Sequence, residues 1–152
     1  MDLGSSYLPG DITAAFLYAQ LEKGWQINQA RQKLLGRYLQ GLAPLGQKGV
    51  IALPGFGGQG NGHTMYIIVA SRQERSALMD FLRTKGIQAV FHYAPLHLSA
   101  MGQRHCRVHG TMDNTESLSQ RLLRLPLYCG MHNEEVDRVV QAVKEFFSSL
   151  SG

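Results

Sequence analysis

Apolar positions set the first elements of the chain. After Pro9-Gly10, residues Ile12, Ala15, Phe16 and Ala19 fall at i, i+3, i+4 and i+7, the spacing of one helical stripe. Asp11 stands where a carboxylate can cap the first turn. The stripe resumes after Gly24 with Leu35, Tyr38, Leu39 and Leu42, and Pro44 with Gly46 interrupts it. This predicts a long helix from about Asp11 to Leu42, loosened at Gly24. Val50 to Leu53 predicts a short strand, and Met65 to Ala70 a buried one. Ser71 is placed to cap a helix carrying Leu78, Phe81 and Leu82, which Gly86 closes. Ile87 to Tyr93 predicts a further strand, Ala94 to Asp113 irregular chain, and Asn114 the cap of a short helix through Leu123. Asn133 is the expected cap of the last helix. Glu134 and Glu135 suit its positive end, and Val136, Val139, Val140, Val143, Phe147 and Leu150 form its stripe.

Helix, strand, strand, helix, strand, helix, helix is the order of an α+β fold, a small sheet with helices packed on it. No strand precedes the first helix, which suits a connector from an upstream domain. Met1 runs directly into the loop-like stretch Asp2 to Gly10, so the frame reads as one that begins mid-protein.

Bulk composition narrows the function classes. The 152 residues suit a single domain, and 44% hydrophobic with 17% charged residues is globular rather than disordered. The net charge of +4 comes from scattered Arg and Lys, without a basic run interleaved with aromatics. Nucleic acid is therefore not an expected partner, and a phosphorylated metabolite suits the excess better. Cys106 and Cys129 make no disulfide framework and read as reduced, cytoplasmic thiols. No apolar run approaches the roughly 20 residues of a bilayer span, so no membrane association is expected.

Chemistry-bearing motifs are sparse. The glycine-rich stretch 54–62 has neither a G-x-G-x-x-G register nor a Gly-Lys-Ser/Thr ending and reads as a loop. Six histidines (His63, His92, His97, His105, His109 and His132) raise the question of a metal. His105 and His109 have the spacing of one helix face, but Gly102 and Gly110 bracket them and no acid completes a ligand set. Loop histidines are the better reading, and no metal is expected. No G-x-S-x-G or paired acid/base motif is present. The most suggestive feature is Phe91-His92-Tyr93-Ala94-Pro95-Leu96-His97, which brings two imidazoles and a phenol to a strand end. A satisfied histidine at a strand end, with Tyr93 in the core, explains the same residues.

Three segments carry a resemblance. Gly4-Ser5-Ser6-Tyr7-Leu8-Pro9-Gly10-Asp11 with Ala14-Ala15 and Gln20-Leu21 resembles the N-Y-R-M-S-D-x-x-A-A…Q-L segment of the DegT/DnrJ/EryC1/StrS sugar aminotransferases. His92-Tyr93-Ala94-Pro95-Leu96-His97 resembles their H-Y-x-P-x-H, and Leu125-Pro126-Leu127 before the last helix their closing L-P-L. The match follows the family's order over nearly the whole chain.

The resemblance implies pyridoxal 5'-phosphate (PLP) as cofactor and L-glutamate and a 4-keto nucleotide sugar, a dTDP-4-keto-6-deoxyhexose, as substrates. It also implies a homodimer with sites at the interface and a fold type I transferase. Residues 1–43 would be an active-site loop and a long interdomain helix, and 44–152 the C-terminal α+β small domain. The lysine that carries the cofactor would belong to an upstream PLP domain, since Lys23, Lys33, Lys48, Lys85 and Lys144 do not match its motif. The catalytic set is therefore empty here, and this chain alone is expected to be inactive. Ser6 takes the place of the Asn expected on the cofactor phosphate of the neighbouring subunit, and a hydroxyl can donate there as an amide does. Leu8 replaces the usual Arg. His92, Tyr93 and His97 match the segment expected near the sugar nucleotide, and His63 a family His before the strand at Met65. The rival expectation is a non-enzymatic remnant or regulatory module that keeps the fold and binds a partner.

Overall fold

In a computed structural model, which describes residues 8–55 and 61–150, the core forms between two long helices and one face of a three-stranded sheet. The elements in order are α1 (Asp11–Glu22), α2 (Gly24–Gln47), β1 (Met65–Ile68), α3 (Arg72–Thr84), β2 (Val90–Phe91), a 3-10 turn (Leu96–Leu98), α4 (Ala100–His105), α5 (Asp113–Arg121), β3 (Leu122–Leu125) and α6 (Asn133–Ser149). The sheet order is β1-β3-β2 with both pairings antiparallel, so the last strand in sequence lies at its centre. Met65 and Ile67 of β1 alternate with half-buried neighbours, as do Leu123 and Leu125 of β3, so the sheet turns one face to the core. Helices on a small antiparallel sheet are the α+β arrangement read from the sequence.

α6 behaves as its stripe dictates: Val136, Val139, Val140 and Val143 are buried, joined by Ala142, Phe146 and Phe147. Valine is a mediocre helix former, so packing rather than propensity holds this helix. Leu150 lies beyond the helix end and is exposed. The first residue outside the helix at its start is His132, not Asn133. Its backbone N–H donates to the Glu135 carboxylate at 2.7 Å, which occupies an amide at the helix start. Ser71 caps α3 as expected, accepting from the Glu74 N–H at 3.1 Å.

Several local expectations give way. The long first helix is two helices meeting at Lys23, and Gly10 rather than Asp11 precedes the first. α2 also runs through Pro44 in its last turn, although a proline there has no N–H to donate to the carbonyl of Gln40 one turn back. The stop is Gly49, whose φ of 70° reverses the chain while its N–H donates to the Gly46 carbonyl. Val50 to Leu53 contributes an isolated bridge, Ala52 to Ile68, rather than a strand. The strand expected over Ile87 to Tyr93 shrinks to Val90–Phe91, and the stretch taken as irregular contains the 3-10 turn and α4. Met112, not Asn114, precedes α5, and the helix expected through Leu123 ends at Arg121, where β3 begins.

Leu34, Leu35, Tyr38 and Leu42 of α2 are buried against α6, and Arg37 pairs in a two-pronged bond with Asp137 (Nε to Oδ1 2.6 Å). α1 buries none of its residues: Ile12, Phe16, Leu17, Tyr18 and Leu21 are exposed. Among the described residues no helix is long and apolar enough to cross a membrane. Cys106 and Cys129 are free and exposed.

Candidate functional site

The site develops where β2 leaves the sheet. Phe91 pairs with Leu123 at the Leu122 end of β3, and the chain then runs through His92 to Pro95 without helix or strand pairing. Across a cis peptide, the His92 and Tyr93 rings meet edge to face at 3.8 Å between centroids. His92 is half-buried, whereas Tyr93 is 67% exposed and does not enter the core. The 3-10 turn at Leu96–Leu98 follows, and Ser99 secures it twice. Its hydroxyl donates to the Leu96 carbonyl at 2.7 Å and accepts from the Gly102 N–H at 2.9 Å, which starts α4. A β-carbon at Gly102 would stand 1.9 Å from the Leu96 carbonyl oxygen, so only glycine lets α4 lie this close to the turn.

His97 is tied down from α5: its Nε2 lies 3.0 Å from Oε1 of Glu116. Arg75 of α3 lies behind Phe91, its guanidinium carbon 5.2 Å from the ring centroid and its Nη1 donating to the Ser119 carbonyl at 3.4 Å. Burial lowers the affinity of Arg75 for its proton, and the neighbouring Arg72 adds to that. The result is an exposed phenol, a half-buried imidazole and a pinned second imidazole on one short segment. These groups can donate and accept hydrogen bonds and present an aromatic face, which suits a polyhydroxy or ring-bearing ligand.

The structure brings the His92 and Tyr93 rings into contact, places His97 four residues further on in the 3-10 turn against Glu116, and leaves His63 apart. His63 precedes β1 beyond the Leu125 end of β3, while His92 follows β2 at the other end, with β3 between the two strands. That separates them by on the order of 15 Å along the strand direction. His63 is exposed, with its Nδ1 2.7 Å from the Asn61 side-chain oxygen, and the turn at Gly62 lies against the backbone of Arg31 and Gln32. Ser6 lies outside the described residues. His105 ends α4 and His109 follows in irregular chain, so the helix-face pairing of the two does not form. Among the described residues no group of three or more His, Cys, Asp or Glu could hold a metal ion. Sequence reasoning missed Arg75, Glu116 and Ser119. Arg75 and Glu116 gave no signal beyond a charge on a helix face, which is ordinary solvated surface until the fold is known, and Ser119 enters through its backbone carbonyl, which no sequence pattern marks.

The model of the DegT/DnrJ/EryC1/StrS aminotransferase family matches residues 2–144. The chain belongs to this family. Several solved structures share its fold. DesV from S. venezuelae, solved in complex with a ketimine intermediate, is 27% identical with a TM-score of 0.79 over 95% of this chain and 40% of its own. NtdA from Bacillus subtilis, with bound cofactor PMP, is 25% identical with a TM-score of 0.69 over 81% of this chain and 29% of its own. TlmJ from Streptoalloteichus hindustanus reaches a TM-score of 0.83 at 22% identity over 99% of this chain and 40% of its own, a likeness of fold. This family member thus spans at most about 40% of the length of these relatives. Its small sheet and helices align with one part of those longer chains.

Proposed function

We propose that this chain is the C-terminal portion of a PLP-dependent sugar-nucleotide aminotransferase that moves an amino group from L-glutamate to a dTDP-4-keto-6-deoxyhexose. The observation that carries the reading is family membership over residues 2–144, with the H-Y-x-P-x-H wording on the exposed segment after β2. Within the family, Ser5-Ser6-Tyr7-Leu8-Pro9 and Arg121-Leu122-Leu123-Arg124-Leu125-Pro126-Leu127 are most like dTDP-4-amino-4,6-dideoxygalactose transaminase of enterobacterial common antigen synthesis. The intact enzyme works as a cytoplasmic homodimer. His92, Tyr93 and His97 face the nucleotide sugar, His63 supplies a separate contact, and Ser6 donates to the cofactor phosphate of the neighbouring subunit.

PLP supplies the electron sink for amino transfer, and the protein binds and orients the reactants around it. The lysines of this chain do not fit a covalent hold on that cofactor. Lys85 Nζ is 3.1 Å from Glu145 and lies over the Phe81 ring, Lys23 and Lys48 bound α2, and Lys33 and Lys144 sit on α2 and α6. Since none of them matches the family's lysine motif either, the cofactor-bearing lysine is proposed to lie in an upstream domain, and this chain alone is expected to be inactive.

The test compares this chain with one extended upstream to the length of its relatives. With PLP and L-glutamate, the extended protein is expected to aminate a dTDP-4-keto-6-deoxyhexose, with 2-oxoglutarate released in step. The 152-residue chain is expected to show neither turnover nor a cofactor absorbance band. A band that borohydride abolishes and that maps to one lysine of the short chain refutes its inactivity. Failure of the extended protein with every 4-keto nucleotide sugar refutes the substrate class.

A further inference from the structure

Two ties converge on α5 from the ends of the 91–97 segment. Arg75 is buried on the second turn of α3, which is unusual for a guanidinium without a carboxylate partner among the described residues. Its compensation is the face of Phe91 at one side and the Ser119 carbonyl at the other, and its Nε has no partner among the described residues. Burying a charge this way is costly, and an aliphatic side chain would fill the same space without that cost. What the guanidinium adds is direction: it links the Phe91 ring, at the end of β2, to the Ser119 carbonyl of α5. At the far end, Glu116 lies one turn before Ser119 on the same helix and holds His97. The Ser119 hydroxyl donates back to the Glu116 carbonyl at 2.9 Å, so both anchors belong to one stretch of backbone. Between the ends, residues 92–95 belong to no helix or strand. A short connection with both ends fixed has few conformations left.

We propose that Arg75 and Glu116 are positioning residues which, acting through α5, fix both ends of the 91–97 segment and thereby hold the His92 and Tyr93 rings in their mutual placement. The proposal does not rest on amino transfer and applies to any ligand that meets this segment.

NMR of the chain as it stands tests it. The probes are the ring resonances of His92 and Tyr93 and the exchange rates of the Leu98 and Ser99 amides, which bond the Pro95 and Leu96 carbonyls. Glu116→Gln and Arg75→Met should each move the His92 and Tyr93 resonances and speed exchange at both amides. The increase should be about two- to fivefold for the part-exposed Glu116 tie and up to about tenfold for Arg75. Exchange of the buried α6 amides should not speed up, because that readout reports global stability. Arg75→Lys keeps the charge without the planar stack and should behave as Arg75→Met does. If Arg75→Met fails to fold, Arg75→Lys and the exposed-end Glu116→Gln carry the test. Unmoved rings overturn the proposal, as does an exchange increase spread equally over α6 and β3. An effect confined to the variant's own end overturns the coupling through α5.

Discussion

At Gly41 α2 lies tight against Val140 of α6, and replacing this glycine sets two effects of known size against each other. A β-carbon there would stand 2.8 Å from Cγ1 and 3.1 Å from Cγ2 of Val140, both inside ordinary van der Waals contact. Val140 is buried in the core, so its methyls cannot move into solvent. Overpacking of this kind costs about 1–3 kcal/mol. Alanine gains about 0.5–1 kcal/mol over glycine inside a helix because the unfolded chain loses less freedom. The clash therefore wins for Gly41→Ala, with a net loss of up to about 2 kcal/mol. Gly36, on the same helix with nothing within 4 Å, isolates the helix-forming gain. Gly36→Ala should raise Tm while Gly41→Ala lowers it or leaves it level. At about 2–4 °C per kcal/mol for a chain of this size, the two variants should differ by roughly 2–12 °C. Val140→Ala removes the obstructing methyls and costs stability alone, yet the double variant with Gly41→Ala should lose about 1 kcal/mol less than the sum of the singles. Thermal melts of the four variants decide this. A Gly41→Ala protein as stabilised as Gly36→Ala, or strictly additive singles, would refute the close approach of α2 and α6.

Gly102→Ala should push α4 off the 3-10 turn, because its β-carbon would overlap the Leu96 carbonyl oxygen. Proteolysis between residues 96 and 105 should quicken with little change in Tm, whereas unchanged cleavage would speak against that packing. Tyr38→Phe removes the hydroxyl that donates to the Pro126 carbonyl at 2.8 Å from a fully buried ring and should cost about 1–3 kcal/mol in denaturant titration. Glu135 is held below the usual carboxylate range, first by the His132 N–H and then by the Tyr128 hydroxyl, and Asp137 by its bond from Arg37. A lowered folded pKa gives stability that is complete above the unfolded value near 4 and is lost as pH falls through the folded one. The Tm of Glu135→Gln/Asp137→Asn should accordingly depend less on pH below about 4 than that of the parent, and parallel curves would remove both groups from the account. In the extended enzyme, Ser6→Ala should weaken PLP retention about ten- to a hundredfold, the worth of one hydrogen bond to a charged group. His92→Ala should spare the cofactor and raise KM or lower kcat for the sugar. Melting temperature is the control, since a purely structural His92 would lower Tm and leave the kinetics unchanged.

The division between what the sequence and the fold each decide follows the range of the interactions. α6 is legible in the sequence because its valine stripe and acidic first turn are local, and so is the Ser71 cap, whose partner is three residues away. The family wording at 92–97 is local as well, although it names a segment and not an arrangement. β3 was hidden. Leu122-Leu123-Arg124-Leu125 has no strict alternation in its letters, and its strand state is set by partners at Met65–Ile68 and Val90–Phe91, far away in the chain. Sheet pairing overrides the weak local preference of such a segment. The stripe of α1 shows the reverse: it forms a helix, but periodicity alone does not tell what covers its face, and nothing in the described chain does. The sequence by itself determined the α+β class, the two-sided patterning of the last helix and the segment that carries the imidazoles and phenol. Only the tertiary structure brought Glu116 to His97 across 19 residues and Arg75 to Ser119 across 44, and moved His63 away from both. Side-chain contacts between distant segments depend on strand order and register, and no local period encodes either.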